Sequence, residues 1–398
     1  MNKNINEVIN ENDCCGCYTC QAICHCNAIK MLPNAEGFDM PVVDTNSCVK
    51  CGMCVKRCPV LSHERIHNNN PKIYAGWSND RNIRFESTSG GIFSELAAHI
   101  IDHKGFVCGA VYDNDWKVKH IVTNDFEDIK LLRSSKYIQS RIENCFKTIK
   151  DKLVLGHDVM MVGAPCQIAG LYNYLGKKYS NLYTVDFICR GVNSPKAFRL
   201  YLDLLEKKYQ SKVVYVKFKF KKYGWNRFST KIKFESGKSY IKDKHTDKFM
   251  KGYLKYNCFM RNSCYNCQFK GFPRIADITL GDFWGIEKYL ENIETYDGVS
   301  MIMVNSDTGA ELINKIKGKI YIKEMEVENI IKGNPMLVEN PIRTDIRDEF
   351  LSKLDTHDFQ DLVNTYIAKN KAKDQIKGNL KNLYYNVTLS YKRRKQNE

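Results

Sequence analysis

Two closely spaced runs of cysteine near the start of this 398-residue chain restrict its fold more than any other feature does. Ten of the seventeen cysteines lie between Cys14 and Cys58. Eight of the ten form two runs of identical spacing, Cys14-x2-Cys17-x2-Cys20-x3-Cys24 and Cys48-x2-Cys51-x2-Cys54-x3-Cys58. The polar N-terminus has no apolar secretory signal, so we expect a cytoplasmic protein with reduced thiols. Such thiols bind metal or carry out redox chemistry more often than they form disulfides.

The spacing of each run is typical of bacterial ferredoxins, in which three cysteines hold one 4Fe–4S cluster and the fourth ligates its neighbour. The sequence therefore predicts two clusters with crossed ligands. The first is expected on Cys14, Cys17, Cys20 and Cys58 and the second on Cys48, Cys51, Cys54 and Cys24. Glycine at positions 16 and 52 would let the backbone approach the inorganic sulfides closely.

Structural zinc is the alternative for so many cysteines. Zinc sites use two separated CxxC pairs, whereas each run here is continuous, and two continuous runs in tandem favour iron–sulfur clusters. The first run departs from the ferredoxin pattern, because His25 stands where proline usually follows the fourth cysteine. Cys15 and Cys26 are additional thiols that could compete as ligands.

The chain behind this module has the composition of ordinary globular domains. Hydrophobic residues make up 43% of the sequence, and no stretch is apolar enough for a membrane span. The polar segment 63–72 is interpreted as a linker. We predict an α+β fold, in which a bacterial-type ferredoxin module is followed by an α/β domain and a mixed α+β C-terminal region. The expected boundaries are 1–62, 73–190, 191–345 and, for a charged helical tail, 346–398.

Local patterns predict several individual elements. Strands are expected at 106–112, 117–122, 159–162 and 182–189, and helices at 165–175 and, opened by Ser194-Pro195, at 195–209. Their alternation favours parallel strands. Two lysine-rich strands are predicted at 213–221 and 229–234. A solvated strand face explains their lysines better than a cleft for an anionic substrate or partner. The last residues, YKRRKQNE, are expected to be disordered.

The formal net charge of +16 indicates which partners to expect. Thiolates that ligate iron are negative, so each cluster would lower this value. A basic protein attracts nucleic acids, anionic surfaces or acidic partners. Because no nucleic-acid-binding motif is present, we expect an acidic redox partner protein or an anionic cofactor, and no nucleic acid. Oligomerisation is left open.

Three motifs behind the module resemble one family in their order along the chain. They are Ser87-Thr88-Ser89-Gly90-Gly91, Gly163-Ala164-Pro165-Cys166-Gln167, and Cys264-x2-Cys267 followed by Asp277-Ile278-Thr279-Leu280-Gly281-Asp282-Phe283-Trp284. Behind a two-cluster ferredoxin module, this order resembles the beta subunit of coenzyme F420 (deazaflavin) hydrogenase/dehydrogenase. The resemblance extends from about residue 10 to residue 300.

The resemblance implies an FAD-dependent iron–sulfur oxidoreductase whose α/β domain binds the flavin. A Thr-Ser-Gly-Gly turn at the start of a helix offers N–H groups, hydroxyls and the helix dipole to an anion such as the FAD pyrophosphate. With Lys136 as an additional positive charge, the residues assigned to cofactor binding are Ser87, Thr88, Ser89, Gly90 and Gly91. The alternative is that Ser87 or Ser89 only caps a helix.

Cysteines in the same motifs indicate a third metal site. Cys166 and Cys189 each follow a predicted parallel strand, so both would lie at one edge of the sheet. Together with Cys264 and Cys267 they could hold a third 4Fe–4S cluster, with Cys258 as a reserve ligand. A small zinc site and simple burial of the thiols are the alternatives.

Three functions are weighed. The first is an enzyme in which FAD exchanges hydride with a deazaflavin or another organic substrate, while the clusters carry single electrons. The second is a non-catalytic, ferredoxin-type electron-transfer subunit that docks to a partner enzyme. The third is a zinc-containing structural or nucleic-acid-binding protein, which the cysteine spacing argues against. No catalytic proton donor is assigned.

Overall fold

The computed structural model describes residues 2–64, 70–367 and 372–395, apart from the side chains of 372–374 and 391–395. Most of the predicted linker at 63–72 therefore lies outside the described residues. The strands are β1 (Ile29–Pro33), β2 (Asp39–Val43), β3 (Lys72–Ser78), β4 (Phe106–Tyr112), β5 (Val118–Thr123), β6 (Ser140–Arg141), β7 (Val159–Val162), β8 (Leu182–Phe187), β9 (Val213–Phe220), β10 (Ser229–Phe234), β11 (Ser239–Asp243), β12 (Ile278–Asp282), β13 (Ser300–Val304) and β14 (Ile320–Met325).

The helices are numbered in the same way, in chain order. They are α1 (Thr19–Ala22), α2 (Met53–Lys56), α3 (Arg81–Glu86), α4 (Ile92–Asp102), α5 (Asp128–Leu132), α6 (Cys145–Val154), α7 (Pro165–Leu175), α8 (Pro195–Tyr209), α9 (Lys248–Lys251), α10 (Asp307–Lys315), α11 (Val327–Gly333), α12 (Ile346–Ser352), α13 (Phe359–Tyr366) and α14 (Ala372–Lys395). The end of α14 contradicts the predicted disorder for residues 391–395, while 396–398 lie outside the described part. None of the helices described is both long and apolar enough to cross a bilayer.

A nine-stranded sheet in the order β14-β3-β13-β12-β8-β7-β4-β5-β6 forms the centre of the fold. The strands β12, β8, β7 and β4 run parallel, which confirms the predicted parallel arrangement. Strands β13, β3 and β14 extend it on one side in antiparallel pairing. Strands from both sides of the predicted boundary at residue 190 therefore share one sheet.

Helices cover both faces of this sheet because alternate strand residues point in opposite directions. On one face, Met160 of β7 packs in a core with α4 and α10. On the other face, the next residue, Met161, packs in a core with α6 and α7. Both side chains are fully buried. The predicted α+β fold class, with an α/β layer, is confirmed.

A second layer is built from the sheet β9–β10–β11 and helices α8, α12 and α13, around an aromatic core. The helix α8 begins as the sequence predicts. The Ser194 hydroxyl accepts a hydrogen bond from the Ala197 N–H at 3.1 Å, and Pro195 occupies the first turn, where its missing N–H costs nothing.

The ferredoxin module contains the hairpin β1–β2 and an internal repeat. Each cysteine run makes a turn with two positive φ angles and then a four-residue helix. In the first run Gly16 (φ 66°) and Tyr18 (φ 69°) precede α1, and in the second Lys50 (φ 51°) and Gly52 (φ 74°) precede α2. Equivalent backbone turns show that the doubled motif folds twice in the same way, although each run has glycine at a different one of the two positive-φ positions.

A substitution at Gly170 of α7 tests whether this helix packs against the ferredoxin module. Alanine ordinarily stabilises a helix interior by roughly 0.5–1 kcal/mol relative to glycine. Here an added Cβ would lie 2.5 Å from Thr19 Oγ1 and 3.2 Å from Cys17 Cβ. We therefore expect Gly170→Ala to lower the free energy of unfolding by about 1–3 kcal/mol in urea unfolding, as overpacking does.

The matched control is Gly318→Ala, because a Cβ at Gly318 meets no atom within 4 Å. We expect no loss of stability for this variant. A Gly170→Ala protein that is more stable than the parent would contradict the packing of α7 on the module.

Candidate cofactor cavity and cysteine group

A cavity of about 900 Å³ lies at the carboxyl ends of β7, β8 and β12. This edge of a parallel sheet is where α/β proteins bind ligands, and the volume is at the upper end of the roughly 300–1,000 Å³ of ligand cavities. Lys219 of β9 closes one side. Cys15 and Gly16 of the ferredoxin module reach the same cavity. The two predicted cofactor regions and the module therefore share one space.

The turn at 87–91 is divided between the cavity and the sheet. Ser87, Thr88, Ser89 and Gly91 line the cavity, and Gly91 (φ 96°) is the N-cap residue of α4. Gly90 instead faces the sheet, where its N–H donates to the Ser300 hydroxyl at 2.8 Å. A Cβ at Gly90 would lie 2.4 Å from the carbonyl oxygen of Gly76, so glycine at this position is explained by packing.

The three hydroxyls of the turn differ in their partners. The Thr88 hydroxyl accepts from the Ser135 N–H at 2.9 Å, and the Ser89 hydroxyl donates to the Val299 carbonyl at 2.7 Å. The Ser87 hydroxyl is buried at the cavity wall and has no hydrogen-bond partner among the described residues. A buried hydroxyl without a partner is costly, so Ser87 is suited to bind a ligand in the cavity.

Lys221 holds the 87–91 turn in position by hydrogen bonds. The sequence analysis did not predict this role. Its ammonium is fully buried and donates to the carbonyls of Arg84 and Ser89 at 2.6 Å and of Asp297 at 2.5 Å. Burial lowers its pKa well below the usual value for lysine. These contacts join β9 to the 87–91 turn.

The predicted solvated lysine face is wrong for β9 and its end. Lys217, Lys219 and Lys221 are only 5%, 6% and 0% exposed. Lys217 pairs with Glu86, and Lys219 pairs with Asp282. Lysines at alternate positions are typical of a strand face exposed to solvent. Here another layer of the fold covers that face, and the sequence does not show this.

Lys136 lines the cavity, but its ammonium is engaged by the backbone. It donates to four carbonyl oxygens between Leu131 and Ser134 at 2.7–3.3 Å and so caps the end of α5. Cations stabilise helix C-termini in this way. Its assignment to the cofactor remains a prediction.

Cys166, Cys189, Cys264 and Cys267 are all part of the cavity wall, and we name them the third cysteine group. Each is half-buried. Burial, together with the neighbouring cysteines of the group, raises the pKa of the Cys189 thiol to about 12 and that of Cys264 to about 11. Metal binding would displace these protons, because thiolate is the ligand form.

A single ion and a four-iron cluster make different demands on the spacing of these thiols. In the part of the chain that the structure describes, no three His, Cys, Asp or Glu side chains are grouped closely enough to share one metal ion. A cubane takes each thiolate on a different iron and so tolerates wider separation. Cys258, the reserve ligand, packs instead in the aromatic core, where its thiol donates to the Gly252 carbonyl at 3.5 Å.

The first ferredoxin ligand set converges in the structure. Cys14, Cys17, Cys20 and Cys58 are buried, and the other three lie within electrostatic range of Cys20. In the second set, Cys54 and Cys51 are neighbours. Cys24 and Cys26 have their sulfurs 3.6 Å apart, so Cys26 is placed to compete with Cys24, as the sequence suggested. The assignment of ligands remains a prediction for both clusters.

The module and the third cysteine group are in contact. The Cys15 and Cys166 thiols are close enough for each to shift the pKa of the other. Cys166 lies in the first turn of α7, whose Gly170 packs against Cys17. One turn of helix thus separates a ligand of the first predicted cluster from a member of the third group.

Comparison with known protein families identifies the family of the chain. The model for the coenzyme F420 hydrogenase/dehydrogenase beta subunit N-terminus matches residues 73–147, and the model for its C-terminus matches residues 156–330. The chain belongs to this family. A 4Fe–4S binding domain matches residues 41–61, which contain the second cysteine run. The predicted family and the presence of a 4Fe–4S segment are confirmed.

Curated members of the F420 hydrogenase/dehydrogenase family match part of the chain. It is 27% identical over 173 residues to the coenzyme F420-dependent sulfite reductase of Methanocaldococcus jannaschii, covering 42% of this chain and 26% of the relative. It is 24% identical over 178 residues to a subunit of the F(420)H(2) dehydrogenase of Methanosarcina mazei, covering 42% and 50%. The chain thus spans half or less of each relative's length.

A solved structure was also matched. It comes from the F420-reducing NiFe hydrogenase complex of Methanosarcina barkeri, with 19% sequence identity and a TM-score of 0.46. The match covers 75% of this chain and 93% of the other.

The acidic and aromatic residues on either side of β12 occupy two environments. Asp277 belongs to a buried network, where the Thr184 and Ser306 hydroxyls both donate to it at 2.6 Å. Trp284 lines the cavity and stacks on Trp225 with ring centroids 4.4 Å apart. Asp277 therefore has a structural role, while Trp284 can contact a ligand.

The buried side chain of His120, in the cavity wall, should make the free energy of unfolding depend on pH. Its Nε2 hydrogen-bonds the Val162 carbonyl at 3.2 Å, and burial lowers its pKa from 6.5 to about 4. Between these values the unfolded chain binds a proton that the folded chain does not. Acidification from pH 6.5 to 4 should therefore lower the free energy of unfolding, by roughly 3 kcal/mol from this residue.

Urea unfolding of the parent and His120→Gln proteins across this pH range measures the effect. The variant lacks the titrating ring and should lose correspondingly less stability. Equal slopes for the two proteins would contradict a buried neutral histidine.

Proposed function

We propose that the chain is an FAD-dependent iron–sulfur oxidoreductase, in which 4Fe–4S clusters and a flavin share electrons. One observation supports this function above the others. A single cavity is lined by the 87–91 turn, by the third cysteine group and by the ferredoxin loop at Cys15 and Gly16. A site for a large anionic cofactor and a site for a cluster are thereby adjacent.

The cavity residues fit FAD. The Ser87 hydroxyl is available to a phosphate oxygen, and the first turn of α4 follows the turn directly, so its unpaired N–H groups and dipole favour an anion. Lys244 and Lys251 add positive charge to the wall, and Trp284 adds an aromatic face. Bound FAD would supply the conversion between two-electron hydride chemistry and single-electron transfer.

The third cysteine group fits a 4Fe–4S cluster by its donor set of four thiols. Lys270 lies within electrostatic range of Cys189, Cys264 and Cys267, and its ammonium donates to the Cys189 carbonyl at 3.0 Å. A cation held beside the thiols favours their ionised form. The Cys15–Cys166 contact places this group directly beside the module.

The substrate class follows from the named relatives and from the charge of the cavity. Both curated relatives are named for coenzyme F420, so we propose a deazaflavin or a related anionic organic molecule as the hydride partner. Lys244, Lys251 and Lys255 line the cavity and would attract such an anion. No residue is assigned as the proton donor.

A non-catalytic electron-transfer subunit is the second candidate, favoured by the surface of the module. Cys51 is exposed, and Val49 beside it is 62% exposed. An apolar, cluster-bearing surface of this kind suits a redox partner protein. This candidate predicts clusters without a flavin.

Removing one member of the third cysteine group tests its cluster. We expect Cys267→Ala to reduce the iron content from about twelve to about eight per chain, because one four-iron cubane is lost. Cys258→Ala removes a thiol that packs in the aromatic core and should retain all the iron. Iron and sulfide are measured after anaerobic purification. Full iron in Cys267→Ala would contradict the assignment.

Replacing the unpartnered hydroxyl tests the flavin site. Ser87→Ala should weaken FAD binding about tenfold or more, since a hydrogen bond to a charged group is worth about 1.5–3 kcal/mol. Stability should not fall, because no hydrogen bond within the chain is lost. Ser89→Ala is the comparison, since it breaks the bond to Val299 and should reduce stability. Fluorescence titration gives the affinity, and unchanged affinity in Ser87→Ala would count against a phosphate at this turn.

A further inference from the structure

Arg261 differs from the other fully buried arginines because it lacks a carboxylate partner. Arg274 pairs with Asp186 at 2.9 Å, and Arg347 pairs with Glu36. Arg261 is 2% exposed and forms no ion pair within the described part of the chain. The Asp39 carboxylate lies within electrostatic range of the guanidinium but forms no salt bridge with it. A buried charge without a close counterion is destabilising, so this position indicates a missing anion.

The guanidinium of Arg261 is directed at the first cysteine run. Its Nε donates to the Cys14 carbonyl at 2.6 Å, and its Nη2 donates to the Asp39 carbonyl at 3.1 Å and contacts Met40 Sδ at 2.7 Å. Its Nη1 is buried and has no acceptor among the described residues. A Cβ at Gly16 would lie 2.8 Å from this Nη1, so the unused donor lies against the loop between two predicted ligands.

Gln139 presents a second unused donor at the same place. Its Oε1 accepts from the Asp39 N–H at 3.0 Å, which fixes the orientation of the amide. Its Nε2 is buried, finds no acceptor in the described part of the chain and lies 2.5 Å from the same Cβ position on Gly16. Two N–H groups without acceptors therefore point to the loop at Gly16. In a protein with the cluster bound, the sulfur atoms of thiolate and sulfide would be their acceptors.

We propose that Arg261 and Gln139 are positioning residues for the first ferredoxin cluster, donating hydrogen bonds to its sulfur atoms, with Arg261 as its counterion. This inference rests on the clusters of the proposed function. Reduction adds one negative charge, so a buried cation and N–H donors favour the reduced form and raise the reduction potential.

The two clusters would consequently differ in potential. At the position equivalent to Gly16, the second run has Lys50, which is exposed to solvent and not buried against the loop. The Arg261 carbonyl also accepts from the Cys264 N–H at 3.0 Å, which links the first cluster to the third cysteine group. The donors thus bias reduction toward the cluster next to the cavity.

Redox titration of the anaerobic full-length protein, followed by electron paramagnetic resonance, tests this inference. The variants are Arg261→Met, Arg261→Lys and Gln139→Leu. Arg199→Met is the control, since Arg199 pairs with the carboxylates of Asp203 and Glu206 within α8. Iron and sulfide are counted in every sample. We expect one cluster to shift to lower potential in Arg261→Met and, less strongly, in Gln139→Leu.

The potentials and iron contents of these variants distinguish a counterion role for Arg261 from a purely structural one. Arg261→Lys keeps the charge and should stay closer to the parent potential than Arg261→Met does. Loss of about four irons in Arg261→Met but not in Arg261→Lys would also support the counterion role. Unchanged potentials at full iron content, or equal shifts for the lysine and methionine variants, would overturn it. Absence of clusters from the parent protein would instead refute the proposed function itself.

Discussion

The packing of α7 against the ferredoxin module is the contact on which the arrangement of the sites depends. The helix begins with Pro165-Cys166 at the carboxyl edge of the sheet, so its position in the fold fixes the position of Cys166. One turn later, Gly170 lies so close to Cys17 and Thr19 that no side chain fits between them. The contact brings the first cysteine run and the third cysteine group together.

Positive charge is buried around the cavity, and the fold compensates it in different ways. Lys219 has a carboxylate partner in Asp282, whereas Lys221 has carbonyl oxygens. Arg261 donates to carbonyls and a thioether, but its Nη1 has no acceptor within the described residues. Because the other charges are satisfied, the unsatisfied ones identify where an anion belongs.

Much of the fold could be predicted because its signals are local. The bounds of β4, β7, α7 and α8 agree with the sequence predictions, since turn residues and the Ser194-Pro195 cap act within a few residues. The cysteine spacing and the motifs behind it indicated the family, and the same motifs supplied the residues that line the cavity.

The features that could not be predicted depend on contacts between segments that are distant in sequence. The burial of Lys217, Lys219 and Lys221 follows from the layer that covers β9, which the alternation of residues does not reveal. Gly90 is required by Gly76 and Ser300, which belong to strands β3 and β13 far from it in sequence. No local signal distinguishes Gly90 from Gly91, which lines the cavity.

The central claim is that one chain holds three clusters and a flavin, with the flavin and the third cysteine group at one cavity that the first cysteine run also reaches. Anaerobic purification, with iron, acid-labile sulfide and flavin quantified alongside the visible spectrum, tests it most directly. The account predicts about twelve irons, from three four-iron cubanes, and one FAD per chain. About eight irons without flavin would contradict it and leave a ferredoxin-like electron carrier, with the third cysteine group and the Ser87 hydroxyl unexplained.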